Sequence, residues 1–218
     1  MTIDQIIKGI LNELEDTKLV CVTKTIDAER INESIRAGAT IIGENRVQEF
    51  EDKSENILPC ERHLIGHLQS NKVKKAVQLF DLIESVDSLK LLRDIDKKAK
   101  AIDKAQKVLL QVNIGNEEQK FGFEKDKIEQ VFTNIDSLKN IQIKGLMCIP
   151  PFVSAEQTRS YFREMKVLFD TLKEDCKEIN NVHMQELSMG MSGDYKIAIE
   201  EGATMVRVGS AIFGKRNQ

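Results

Sequence analysis

Short apolar runs and helix-spaced segments alternate along this chain from end to end, and few folds accommodate that order. The strand-like runs are 19–24, 40–43, 63–66, 82–86, 107–113, 141–147, 183–188 and 204–208. The first, Leu19-Val20-Cys21-Val22-Thr23 before Lys24, is short, apolar and rich in β-branched residues, as buried parallel strands are. Segments at helical spacing lie between them: 27–37, 44–56, 70–79, 88–105, 126–138, 155–177 and 194–201. Ile3, Ile6, Ile7, Ile10, Leu11 and Leu14 form a leading stripe, which predicts a helix over about 3–14. Eight strands alternating with helices in 218 residues predict an α/β fold, a single (β/α)8 TIM-type barrel with an additional N-terminal helix. An open doubly wound sheet is the alternative, but no GxGxxG follows the first strand. The three prolines, Pro59, Pro150 and Pro151, fall in predicted loops, and no Pro- or Gly-rich linker divides the chain. Residues 1–218 are therefore expected to form one domain.

Composition excludes several functions. Lys+Arg number 32 against Asp+Glu 35, interspersed, so no basic stripe for nucleic acid is expected. No run approaches the roughly 18 apolar residues of a membrane span. Met1-Thr2-Ile3-Asp4-Gln5 has neither the basic nor the apolar region of a signal peptide. Cys21, Cys60, Cys148 and Cys176 form no CxxC pair and are expected to be reduced thiols in a cytoplasmic protein.

Side-chain parity then selects candidates. Val20, Val22 and Lys24 share one face of the first strand, and Met205 and Arg207 share one face of the last. If those faces point inward, Lys24 and Arg207 meet at the carboxyl end of the barrel, where barrel enzymes carry their active sites. A lysine there is costly to bury unless its amine is paired, neutralised or used covalently, and a neutral amine attacks aldehydes. The last strand runs into Gly209-Ser210, and the seventh ends in Met189-Gly190-Met191-Ser192-Gly193. Free amides and hydroxyls at such corners suit a phosphate, although a plain turn, or Ser192 capping the following helix, would use the same residues. Asn45 and His67 are expected at the mouth, and Met147 at the end of the sixth strand could pack on a flat ring. His63 and His67 would sit about 13 Å apart on a strand, too far to share a metal ion. The loop 113–123 could be a flap. A lysine, an arginine and two phosphate-suited loops together fit pyridoxal 5'-phosphate. Lys24 would form the internal aldimine, Ser192, Gly209 and Ser210 would hold the phosphate, and Arg207 would face the pyridine nitrogen.

These residues lie in longer strings. Val22-Thr23-Lys24, Gly43-Glu44-Asn45, Val47-Gln48-Glu49, the stretch from His63 through Gly66-His67-Leu68-Gln69-Ser70-Asn71-Lys72, and Leu110 through Ile114 are five of them. Gly145-Leu146-Met147, Leu187-Ser188-Met189-Gly190-Met191-Ser192 and Val206 through Gly214 complete the set. In order, from about Leu19 to Arg216, they resemble the pyridoxal-phosphate homeostasis protein family. Thr23, the loop Gly115-Asn116-Glu117 and Gly193 depart from its usual pattern. The resemblance implies a barrel like the amino-terminal barrel of alanine racemase, with Lys24 as the cofactor lysine. It also implies cofactor homeostasis, with apo enzymes as recipients.

The alternative is a pyridoxal-phosphate-dependent amino-acid racemase. Racemisation needs proton transfer on both faces of a carbanion. The tyrosines, Tyr161 and Tyr195, lie at no predicted mouth position. An arginine beside the pyridine nitrogen also weakens the ring as an electron sink. A monomeric carrier is the expectation.

Overall fold

The computed structural model describes residues 1–214; the end of the family-like stretch at Arg216, and of the expected domain at Gln218, lies outside them. Eight parallel strands close a barrel in the order β4 (Leu82–Val86), β3 (Glu61–Leu64), β2 (Ile41–Glu44), β1 (Lys18–Val22), β9 (Met205–Val208), β8 (Val182–Met191), β7 (Ile141–Cys148) and β5 (Gln106–Asn113), with β4 pairing β5. A two-residue strand, β6 (Phe123–Glu124), is appended to β5. The expected (β/α)8 barrel is the observed fold.

Alternation along the strands divides the core in two. Val20, Val22, Ile41, Ile65, Leu82, Leu109, Met147 and Met205 fill the barrel lumen as one buried cluster. The opposite strand faces pack under the surrounding helices in a larger cluster. The leading helix α1 (Ile3–Glu13) buries Ile3, Ile7 and Ile10, and Thr2 and Gln5 close a capping box at its start. Helices α2 (Ala28–Arg36), α3 (Val47–Lys53), α4 (Val73–Leu79), α5 (Leu89–Lys100), α6 (Ala155–Asp175), α7 (Tyr195–Glu200) and α8 (Ser210–Phe213) follow strands of the barrel.

Four expected helices differ: 70–79 opens with a three-residue turn at Ser70–Lys72, 88–105 ends at Lys100, and two others depart further. The segment 126–138 is a run of three-residue turns, Lys125–Ser137. Its buried Ile128, Val131 and Ile135 are spaced three and then four apart, so apolar spacing alone does not distinguish the tighter turn from an α-helix. Helix α3 begins at Val47 rather than Glu44. Glu44 instead completes β2, where its carbonyl accepts the Ile65 amide at 2.9 Å. All four cysteines are free, and burial pushes the Cys21 and Cys148 thiols up to about 12. Among the described residues there is no cluster suited to a metal ion, and no helix is long and apolar enough to cross a membrane.

Candidate functional site

Lys24 lies two residues beyond Val22, the last residue of β1, in a tight turn. The Ile26 amide donates to the Thr23 carbonyl at 3.1 Å, and Thr25 is held at φ 63°. A β-branched residue in the left-handed region is strained and persists only when its surroundings enforce it. Here they do. The Glu49 carboxylate accepts the Thr25 amide, and the Lys53 ammonium donates to the Thr23 and Ile26 carbonyls, both at 3.1 Å. Lys53 also pairs with Glu44 at 2.8 Å and Glu49 at 3.0 Å. The Thr23 hydroxyl donates to the same Glu44 oxygen at 2.6 Å. Desolvation raises the Glu44 pKa, although Lys53 and Thr23 oppose it. The turn that presents Lys24 is thus clamped by a buried ion pair.

Lys24 lines a cavity of about 300 Å³ at the carboxyl end of the barrel, together with Val22, Asn45, Ile65, Ile149, Arg207 and the two small-residue loops. The inward parity expected for Lys24 and Arg207 holds, because Val20, Val22 and Met205 fill the lumen below them. From the loops come Met191, Ser192, Gly193, Gly209 and Ser210. The Ser192 hydroxyl accepts the amides of Gly209 at 3.2 Å and Ala211 at 3.3 Å, which joins the seventh and eighth barrel loops into one corner. It does not cap α7, whose N-cap is Asp194. Gly190 makes this corner possible: at φ 88°, an added Cβ would lie 2.4 Å from the Ala198 Cβ.

Of the residues expected in the site, six line the cavity: Lys24, Asn45, Ser192, Arg207, Gly209 and Ser210. Two do not. Met147 is fully buried in the lumen cluster beneath the cavity, and Ile149, two residues on, lines the cavity instead. His67 faces a neighbouring groove of about 390 Å³ that shares Asn45 as a wall. Its Nδ1 lies 3.0 Å from an Asp87 oxygen, and its ring stacks on Phe121 at 3.6 Å and 13°. Gly66 lets the chain pass close to Asn45, since a Cβ there would sit 2.3 Å from the Asn45 carbonyl oxygen. The loop 113–123 is tied down rather than open. Asn113 donates to the Glu117 carbonyl at 2.9 Å, and Gln111 to that of Phe121 at 2.9 Å.

Sequence reasoning missed the clamp of Glu44, Glu49 and Lys53. The one available signal was the density of acidic residues, Glu44, Glu49, Glu51 and Asp52, at and just after the second strand end. Neither tyrosine is among the residues lining the cavity; the Tyr195 hydroxyl donates to Glu13 of α1 at 2.6 Å.

The fold and site define a class: a closed (β/α)8 barrel whose mouth combines a strand-end lysine, an inward arginine and an amide-rich corner. Comparison with known proteins is consistent with that class. The model for the alanine racemase N-terminal domain matches residues 3–217. The pyridoxal phosphate homeostasis protein of Aquifex aeolicus is 43% identical over 202 residues, covering 91% of this chain and 87% of its own. The protein of that name from Escherichia coli is 36% identical over 210 residues, covering 93% and 87%. PipY of Synechococcus elongatus, solved with pyridoxal phosphate bound, superposes with a TM-score of 0.88 at 33% identity, over 98% of this chain and 100% of that one. An alanine racemase of Clostridium difficile shares the fold at a TM-score of 0.71 and 16% identity, with 98% of this chain covering 58% of that one. The chain belongs to the pyridoxal phosphate homeostasis protein family.

Proposed function

We propose that this chain binds pyridoxal 5'-phosphate over Lys24 and holds it as a reserve and carrier in the cytoplasm, without turning over amino acids. One observation carries the reading. An amine, a guanidinium and an amide-and-hydroxyl corner all line one cavity of about 300 Å³. That donor set matches the groups of the cofactor: an aldehyde, an aromatic nitrogen and a phosphate. When bound, the cofactor supplies an aldehyde that an amine can capture reversibly.

The chain's own residues divide the work. Lys24 supplies the amine, and the Glu44–Lys53–Glu49 clamp orients the turn that carries it. Ser192, with the Gly209 and Ser210 backbone, holds the phosphate. Arg207 donates to the ring nitrogen. A donor of fixed positive charge keeps that nitrogen unprotonated and so limits the ring as an electron sink. Asn45 walls the ring edge. The whole chain acts as one monomeric binding module, and apo enzymes that need the cofactor are the recipients.

The racemase alternative requires a second acid–base group on the far face of a bound substrate. Tyr161 lies in α6 and Tyr195 is engaged with Glu13, which favours the carrier. The test incubates the loaded protein with amino acids in deuterated water, and separately with an apo enzyme that requires the cofactor. Appearance of activity in the apo enzyme, with no catalytic exchange of the amino-acid α-proton, is expected. Sustained exchange over many turnovers would overturn the carrier reading.

A further inference from the structure

Beneath the cavity, a chain of buried polar groups crosses the barrel lumen from its floor to Arg207. The Arg207 Nη1 donates to the Ser188 hydroxyl at 2.7 Å, and its Nη2 to the Cys148 carbonyl at 2.7 Å. The Ser188 hydroxyl donates in turn to Glu84 Oε2 at 2.6 Å. The other Glu84 oxygen lies 2.7 Å from His63 Nδ1. His63 Nε2 lies 3.3 Å from a Glu61 oxygen at the start of β3, without hydrogen-bonding alignment. His63, Glu84 and Ser188 are fully buried, and Arg207 is 4% exposed.

The chemistry of these groups fixes the direction of the chain. A guanidinium only donates, and an ionised carboxylate only accepts. The Ser188 hydroxyl has one proton, which it donates in a hydrogen bond to Glu84. Its oxygen is then free to accept from Arg207. Glu84 lies between two cationic partners, and their charge and the Ser188 hydroxyl hold its pKa down despite complete burial. Buried charges of this kind persist only when each is paired. A guanidinium carries five N–H donors, so the two bonds below leave others for a ligand in the cavity that Arg207 lines.

We propose that Glu84, acting through Ser188, is the positioning residue that holds the Arg207 guanidinium as an aimed donor at the cofactor cavity, and that His63 orients Glu84 from the floor of the barrel. This rests on the cofactor reading above. It goes further by assigning the electronic state of the cofactor ring to a carboxylate across the barrel. Four strands contribute in series: β3 through His63, β4 through Glu84, β8 through Ser188 and β9 through Arg207. None of the first three residues lines the cavity.

The test loads wild type, Glu84→Gln, Ser188→Ala and Ser188→Thr with cofactor labelled with ¹⁵N in the ring. Three readouts follow: the dissociation constant by absorbance titration, the visible band and the ring-nitrogen chemical shift at neutral pH. Glu84→Gln removes the charge between the two cations. It is expected to weaken binding about tenfold, the scale of one hydrogen bond to a charged group, and to move the nitrogen shift, while borohydride still fixes the cofactor on Lys24. Ser188→Ala breaks the link with one atom lost and is expected to move the same readouts, whereas Ser188→Thr restores them. A purely structural role would lower thermal stability and leave the nitrogen shift in place. Wild-type affinity, band and nitrogen shift in folded Glu84→Gln and Ser188→Ala overturn the proposal. Should Glu84→Gln not fold, Ser188→Ala alone decides. A wild-type protein that fixes no cofactor on Lys24 refutes the functional reading itself, a failure visible before any variant is made.

Discussion

Replacing Lys53 with methionine removes the centre of the clamp beneath Lys24 while keeping most of the apolar stem. The ammonium holds two carboxylates and two carbonyls: Glu44 at 2.8 Å, Glu49 at 3.0 Å, and Thr23 and Ile26 at 3.1 Å. The Glu44 side chain is fully buried, and its second oxygen has no hydrogen-bond partner among the described residues. Lys53→Met therefore leaves a buried carboxylate without its counter-ion, a change that costs about 3–5 kcal/mol. For a chain of this length that lowers Tm by roughly 6–20 °C. Desolvation already raises the Glu44 pKa, and losing Lys53 raises it further. A raised folded-state pKa makes the protonated carboxyl the better-tolerated form. The deficit should therefore shrink as pH falls from 8 towards about 5. Adding Glu44→Gln removes the stranded charge, so the double variant should regain more than half of the loss at pH 8. Urea titrations of both variants and wild type at the two pH values measure this. A Lys53→Met deficit under about 1 kcal/mol, or one that does not change with pH, would refute the clamp as an energetic unit.

Burial disfavours the His63 imidazolium, yet Glu61 and Glu84 outweigh it and raise its pKa to about 9. Its stabilising contribution, about 3 kcal/mol from the distance to the usual 6.5, is complete below pH 6.5 and lost as pH rises through 9. The urea midpoint should fall over that window in wild type and stay flatter in His63→Asn. Ser192→Ala removes the oxygen that gathers the Gly209 and Ala211 amides. Cofactor affinity should drop about tenfold in an absorbance titration, with a stability change under about 1 kcal/mol; undiminished affinity would take Ser192 out of the phosphate site. Gly190→Ala forces a Cβ to 2.4 Å from Ala198 at φ 88° and should cost about 2 kcal/mol or more by denaturant titration.

The barrel was legible because buried parallel strands are written as short apolar runs, and their spacing allows little else. Parity made Lys24 and Arg207 legible too, since Val20, Val22 and Met205 announce the inward face. Nearness to a strand end puts Met147 and His67 at the mouth, but a residue there can face the lumen below, the cavity or the adjacent groove. Glu44 opens the expected helix over 44–56 but instead ends β2. Its partner Lys53 comes nine positions later, across a strand-to-helix connection that local pattern does not reveal. The lumen chain was least legible. Glu84 and Ser188 stand 104 residues apart and meet only because the sheet closes. A lone glutamate or histidine in an apolar run carries no sign of the partner opposite.

Borohydride reduction of the cofactor-saturated protein, followed by peptide mapping in a mass spectrometer, tests the central claim most directly. The account predicts the pyridoxyl mass on the peptide containing Lys24, and its loss in Lys24→Ala. A modified peptide elsewhere, or an unmodified protein, would contradict it.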